Sequence, residues 1–176
     1  SDVTAGNVEQ MAPFSSRGPV DDGRIKPDVV APGTWILSGY SPLFQEGLGG
    51  SVNPQDGQFQ IDGWGKPHNG AYKYMGGTSK SNPLVAGAAA VVRDYYEVAH
   101  SHSASSALDT ATLINSAVVL VDENNDGTDD NYDPIPNNHE GWGRVNLANA
   151  TDGSHQFVEN TAGLDTGGES SYQYGI

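Results

Sequence analysis

The chain has no cysteine, so no disulfide braces it and no thiolate metal site is available to it. Basic residues are scarce: 8 Lys and Arg stand against 22 Asp and Glu, a formal net charge of −14. So acidic a chain repels phosphate backbones and anionic headgroups, which argues against nucleic acid or an anionic membrane as partners. It suits a secreted protein, a cation binder, or a protein of a salty medium. Long apolar runs are missing as well. The longest, Leu84 to Val92, is interrupted by Gly87 and falls far short of the ~20 residues that span a bilayer.

What is present points to a folded domain rich in turns. The 176 residues suffice for one domain with its own core. Glycine (23) and proline (10) are plentiful, which predicts many turns and long loops. The stretch that organises the chain runs from Gly76 through Thr78, Ser79, Lys80 and Pro83 to Gly87. Glycines permit positive φ or a close approach of backbone to ligand. Proline fits near a helix start, where its missing N–H costs little. Together these deliver Ser79 to the beginning of a helix, predicted over 79–97. A serine there has free N–H groups beside it and the positive end of the helix dipole. Those are the needs of a nucleophile whose intermediate is an oxyanion. An N-cap role for Thr78 or Ser79 explains the same residues.

Around this stretch the chain alternates between short strands and helices. Asp28 to Ala31, between Pro27 and Pro32, and Trp35 to Leu37 are strand candidates, and Lys26 and Asp28 also fit a solvated turn. The helix over 79–97 is apolar almost all round, which predicts burial in a large core. A second helix is predicted over 109–120, with Leu113, Ala117 and Leu120 on one face and Ile114 beside it. Apolar strands followed by buried helices predict an α/β sheet covered on both faces. Residues 39–73 have no clear period. Tyr40, Phe44, Phe59, Trp64, Tyr72 and Tyr74 there either line a substrate surface or pin the loop to its own domain. His68 stands alone in this loop. His100 and His102, one residue apart, suit a metal or a solvated loop.

Asp122 to Asp133 matches the 12-residue calcium loop D-x-N-x-D-G-x5-E, with Asp133 replacing the final glutamate. Asp122, Asn124 and Asp126 alternate toward one cation, Gly127 allows the sharp turn, and Thr128 offers its carbonyl. Asp130 occupies the position that often acts through water, and Asp133 closes the shell. Pro134 and Pro136 replace the helix that follows such a loop in a calcium sensor, so a bound calcium would be structural. A solvated acidic turn is the alternative. The loop occurs once, which argues against a calcium-binding adhesion repeat.

Gly77 to Gly87 resembles the serine motif of the subtilisin-like serine proteases (subtilases), GTSMAxPxVAG, departing at Lys80 for Met and at Leu84, often His. Three further segments match in order: Phe14 to Pro19, Arg24 to Gly33, and Gly141 to Leu147. With Tyr74-Met75, they resemble the larger bacterial alkaline subtilases with a following β-sandwich domain. The resemblance runs from about Val3 to Leu147, and four ordered motifs are far more specific than one. It implies a three-layer α/β fold, a mostly parallel sheet with helices on both faces, present here as its C-terminal portion. Residues 1–150 would be that portion, with the calcium loop at 122–133 inserted, and 151–176 a Gly/Ser-rich linker toward a further domain.

The resemblance also implies a serine endopeptidase, secreted or extracytoplasmic, acting on polypeptide substrates through a Ser-His-Asp triad. Ser79 maps onto the nucleophile and its N–H onto one oxyanion donor. The aspartate, histidine and oxyanion asparagine motifs of the family lie upstream of the first matched segment. Asp165-Thr166-Gly167 matches the aspartate motif in letters only. An N-terminal segment carrying the catalytic Asp and His is therefore an expected partner, beside which this portion is stable. Lys80 sets a cation next to the reacting centre where relatives carry an oxidisable Met, or snorkels outward and spares the site. The rival reading is a catalytically inactive, calcium-stabilised subtilase-like scaffold.

Overall fold

The computed structural model describes residues 7–39, 68, 69, 71–122, 127, 128, 134–154 and 157. In chain order they form strands β1 (Ile36–Gly39) and β2 (Tyr72–Met75), then helices α1 (Thr78–His100), α2 (Ser106–Asn115) and α3 (Leu147–Ala150). β1 and β2 pair antiparallel, with Ile36 opposite Met75 and Gly39 opposite Tyr72. The expected mostly parallel sheet is represented among the described residues only by isolated parallel bridges, Gln10 to Asp122 and Val30 to Arg144. The strand expected over 28–31 is reduced to the Val30 bridge. Trp35 adopts a left-handed φ of 53°, which starts the second strand one residue later than its sequence suggests.

The segments that carry the matched motifs lie side by side. Val30 N–H donates to the Gly143 carbonyl at 2.9 Å, and Val145 N–H returns to the Val30 carbonyl at 3.0 Å. On the other side Arg144 and Val118 exchange both backbone bonds, at 2.7 and 2.8 Å. Residues 141–145 thus form the middle of a three-stranded seam. Val118 is recruited from the stretch expected to be helical. α2 stops at Asn115, with Ser116 as its C-cap, because the β-branched run Val118-Val119 pairs better extended than coiled. Leu113 and Leu120 are both buried, but only Leu113 reaches the core from a helix.

That core sits where α1 crosses α2 and α3. Ala88, Val92 and Tyr96 of α1 pack with Ala104, Leu108, Leu113 and Ala150. Ser105 caps α2 by accepting the Leu108 N–H at 3.2 Å, worth about 1 kcal/mol. The Tyr96 hydroxyl meets Thr112 Oγ1 at 2.8 Å in the buried seam. At the far end of α1, Ser101 takes a left-handed conformation, and its N–H donates to the Glu97 carbonyl, ending the helix.

Among the described residues, only one side of α1 is covered. Leu84 and Val91 are 43% and 47% exposed, and nothing lies within 4 Å of a Cβ placed on Gly87. The expectation of a helix buried all round fails on this side, because no described residue packs there. Pro83 lies inside α1, in its second turn. Of the two histidines expected in a metal site or a solvated loop, His100 is the exposed last residue of α1 and His102 follows it, half-buried. His100 and His102 both stack against Phe157, at centroid distances of 5.2 Å each, and Tyr96 meets the same ring at 4.7 Å. Aromatic packing thus ties Phe157 to the end of α1. No helix among the described residues is long and apolar enough to cross a membrane.

Candidate active site

Ser79 is the second residue of α1, and it is exposed. The helix begins after Gly77, whose φ of 113° is a conformation that side chains resist. No side chain caps this end, and the first turn has no acidic residue. Thr78 and Ser79 lie inside the helix, so neither hydroxyl serves as the N-cap that their sequence also permits. The Lys80 N–H is turned back onto the Gly77 carbonyl at 2.9 Å. The N–H groups of Thr78 and Ser79 precede any intrahelical acceptor. A hydroxyl and an unspent backbone donor thus meet on one residue at the positive end of a 23-residue helix, the features that an acyl-transfer nucleophile requires.

The turn is held from behind. The Gly33 carbonyl accepts the Gly77 N–H at 2.7 Å. A cavity of about 850 Å³ opens beside it, lined by Met11, Val30, Trp35, Thr78, Asn82 and Val85 among others. Trp35 meets Tyr74 edge-on at 5.5 Å, and His68 meets the same tyrosine at 6.2 Å. His68 is therefore packed on β2, and no hydrogen bond joins it to Ser79. Tyr72 and Tyr74 lie on β2, while Tyr40, Phe44, Phe59 and Trp64 fall outside the described residues. Lys80 is half-buried beside Ser79. Lys26 and Asp28 pair with each other in solvent, as a solvated turn requires.

Of the expected calcium ligands, Asp122 and Thr128 are described, and Asn124, Asp126, Asp130 and Asp133 are not. Asp122 is 1% exposed. Its Oδ2 accepts the Gly127 N–H at 3.1 Å and the Gln10 side-chain amide at 2.8 Å. The first and sixth positions of the loop are thus drawn together, and Gly127 has the positive φ of 87° that a sharp turn needs. No group of three or more His, Cys, Asp or Glu suited to a metal occurs among the described residues.

Two features were not singled out from sequence. Glu140 is fully buried, and its Oε2 accepts the Leu120 N–H at 2.8 Å. It holds the 118–120 segment against the Gly-Trp-Gly turn; its place directly before Gly141 is the only hint in the sequence. Arg144 clamps the first described residues, through Val8 O at 2.8 Å and Glu9 Oε1 at 3.0 Å. Its partners lie about 135 positions away, a distance over which sequence carries no pairing signal.

Comparison with known proteins places these features in a family. The chain is 36% identical over 115 residues to a subtilisin-like protease of Arabidopsis thaliana, covering 61% of this chain and 14% of that protein. It is 33% identical over 117 residues to a C5a peptidase of Streptococcus pyogenes, covering 65% and 8% respectively. It is 35% identical over 89 residues to a serine protease/ABC transporter B family protein of Dictyostelium discoideum, covering 51% and 4%. The chain therefore spans a small fraction of each of these relatives. The profile of the subtilase family, Peptidase S8, matches residues 3–143, a span holding three of the four motifs whole, the start of the fourth, and the uncapped helix start. This chain belongs to the subtilase family.

Proposed function

We propose that this chain supplies the nucleophile of a secreted or extracytoplasmic serine endopeptidase, and that Ser79 is that nucleophile. The observation that carries the reading is the exposed Ser79 hydroxyl at the uncapped start of α1. Ser79 Oγ attacks the scissile peptide carbonyl, and its own N–H receives the developing oxyanion. The base that takes its proton and the aspartate that orients that base come from polypeptide outside this chain. The uncovered side of α1, with Leu84, Gly87 and Val91, and the cavity beside Gly33 give such a segment apolar surface to bury. Residues 1–150 act as the C-terminal portion of the catalytic domain, and 151–176 lead toward a further domain. A structural calcium ion in the loop at 122–133, held by Asp122, Asn124, Asp126, Thr128, Asp130 and Asp133, fastens the excursion to Gln10 and its neighbours. Substrates are polypeptides; the net charge of −14 disfavours nucleic acid and anionic membranes.

The test is labelling of the whole protein by a fluorophosphonate, read by intact mass and peptide mapping. A single adduct on the peptide carrying Ser79, lost in Ser79→Ala, is the expected result. No adduct in a folded sample that contains the family's aspartate and histidine would instead establish the inactive scaffold, with Lys80 as the first suspect.

A further inference from the structure

Ser79 is flanked in sequence by two residues that touch one glycine from the other side of the motif set. Two positions before it, Gly77 gives its N–H to the Gly33 carbonyl at 2.7 Å. Two positions after it, Ser81 presents its Oγ to the Cα of Gly33, so that a Cβ there would lie 2.6 Å from that oxygen. The same Cβ would lie 3.4 Å from the Gly77 carbonyl oxygen. We infer that Gly33 is a positioning residue for the nucleophile: it grips the turn on both sides of Ser79, and its missing side chain sets how closely the Ala31-Pro32-Gly33 segment approaches. The inference rests on Ser79 being the nucleophile.

The reasoning is geometric. Gly77 adopts its positive φ of 113° at the start of α1 without strain, so what selects that conformation from the many open to glycine is its hydrogen bonds. The bond from Gly77 N–H to Gly33 supplies one constraint, and the bond from Lys80 N–H to the Gly77 carbonyl, at 2.9 Å, supplies the other. Ser79 has no comparable anchor of its own. Its place in space is the sum of what holds residues 77, 80 and 81. A methyl group on Gly33 would stand 2.6 Å from Ser81 Oγ, well inside ordinary contact, while its 3.4 Å from the Gly77 oxygen is ordinary contact already, so Ser81 is the group that must move. Ser81 moves by turning its hydroxyl to another χ1 rotamer or by shifting its backbone, and the second movement reaches Ser79 through Lys80 between them. A displacement approaching ~1 Å at a reacting atom costs on the order of 100-fold in rate, and a smaller one less.

The experiment is a comparison of Gly33→Ala, Ser81→Ala and the double variant in the whole protein. Each is measured for the second-order rate of fluorophosphonate labelling, for kcat and KM on a peptide, and for thermal midpoint. Gly33→Ala is expected to slow labelling and kcat by on the order of 10- to 100-fold, with KM changed far less. In the double variant the oxygen that the new methyl strikes is gone, so labelling should return toward the rate of Ser81→Ala alone. Equal labelling of wild type and Gly33→Ala would overturn the role. A Gly33→Ala defect that Ser81→Ala does not relieve, or one that tracks the fall in thermal midpoint, would reduce Gly33 to general structure and overturn it as well. Absence of labelling in the wild type is a different failure: it removes the proposed function, and the positioning role with it.

Discussion

The Tyr96 phenol and the Thr112 hydroxyl face each other at 2.8 Å across the seam between α1 and α2, with Thr112 also bonded to the Leu108 carbonyl at 2.9 Å. Both residues are buried. The pair fixes the rotation of α1 against α2, the longer of the other two helices among the described residues. Because Thr112 spends its proton on Leu108, Tyr96 is the donor of the shared bond. Tyr96→Phe should destabilise by about 1 kcal/mol. A double-mutant cycle with Thr112→Val should show a coupling of about 0.5–1.5 kcal/mol. Urea denaturation of the four proteins measures it, and additive effects would dissolve the pair.

Gly143 has a φ of 116°, and a Cβ on it would stand 2.5 Å from the Val118 carbonyl oxygen. Gly143→Ala meets both a disfavoured backbone and a rigid neighbour, since that carbonyl belongs to the ladder with Arg144. We expect a loss of about 2 kcal/mol or more, read as a drop in the denaturation midpoint. Gly87→Ala is the contrast. Its Cβ would meet nothing within 4 Å, and alanine in a helix gains up to about 1 kcal/mol over glycine. That gain holds only while the uncovered side of α1 stays uncovered.

The acidic loop separates into two roles. Asp122 holds Gln10 and Gly127 by direct hydrogen bonds, so Asp122→Ala should lower the thermal midpoint with or without calcium. Asp130→Ala should remove only the part of the midpoint that calcium adds. Calcium at 100 times its dissociation constant adds about 2.7 kcal/mol. Differential scanning fluorimetry in calcium and in chelator tells the two apart. An unchanged midpoint on chelation of the parent protein would remove the calcium assignment.

Lys80 gives a chemical test. Thioethers oxidise readily and ammonium groups do not. Lys80→Met should therefore make labelling at Ser79 sensitive to hydrogen peroxide, while the parent protein keeps its rate under the same exposure. Labelling of Lys80→Met before peroxide should stay within about tenfold of the parent, one decade being about 1.4 kcal/mol of barrier. A larger gain in rate would show that the lysine ammonium weakens the site.

The parts legible in the sequence are those fixed by local chemistry. The start of α1 follows from two glycines, small hydroxyl residues and a proline within eight positions. The closure of Asp122 onto Gly127 follows from a turn that needs glycine at one place. Pairings made at long range were not legible. Nothing in Ile36 to Gly39 specifies Tyr72 to Met75 as its antiparallel neighbour. The uninterrupted helical spacing through Leu120 gave no warning that Val118 would be claimed by Arg144. Gly33 reads in sequence as the end of a Pro-Gly turn. Its role as the floor beneath Gly77 exists only once the two segments meet.

Pro83, four residues after Ser79, has no N–H to return to the Ser79 carbonyl. One rung is thereby missing between the first turn of α1 and the hydrogen-bond ladder that continues through Ala88, Val92 and Tyr96. We expect the helix to open in two stages: a short first turn that carries Ser79, held by glycine contacts, and a long remainder anchored in the core. Amide exchange should be fast through Lys80 and slow from Ala88 onward. Small adjustments of the first turn at Ser79 would then leave the core-anchored part of the helix in place.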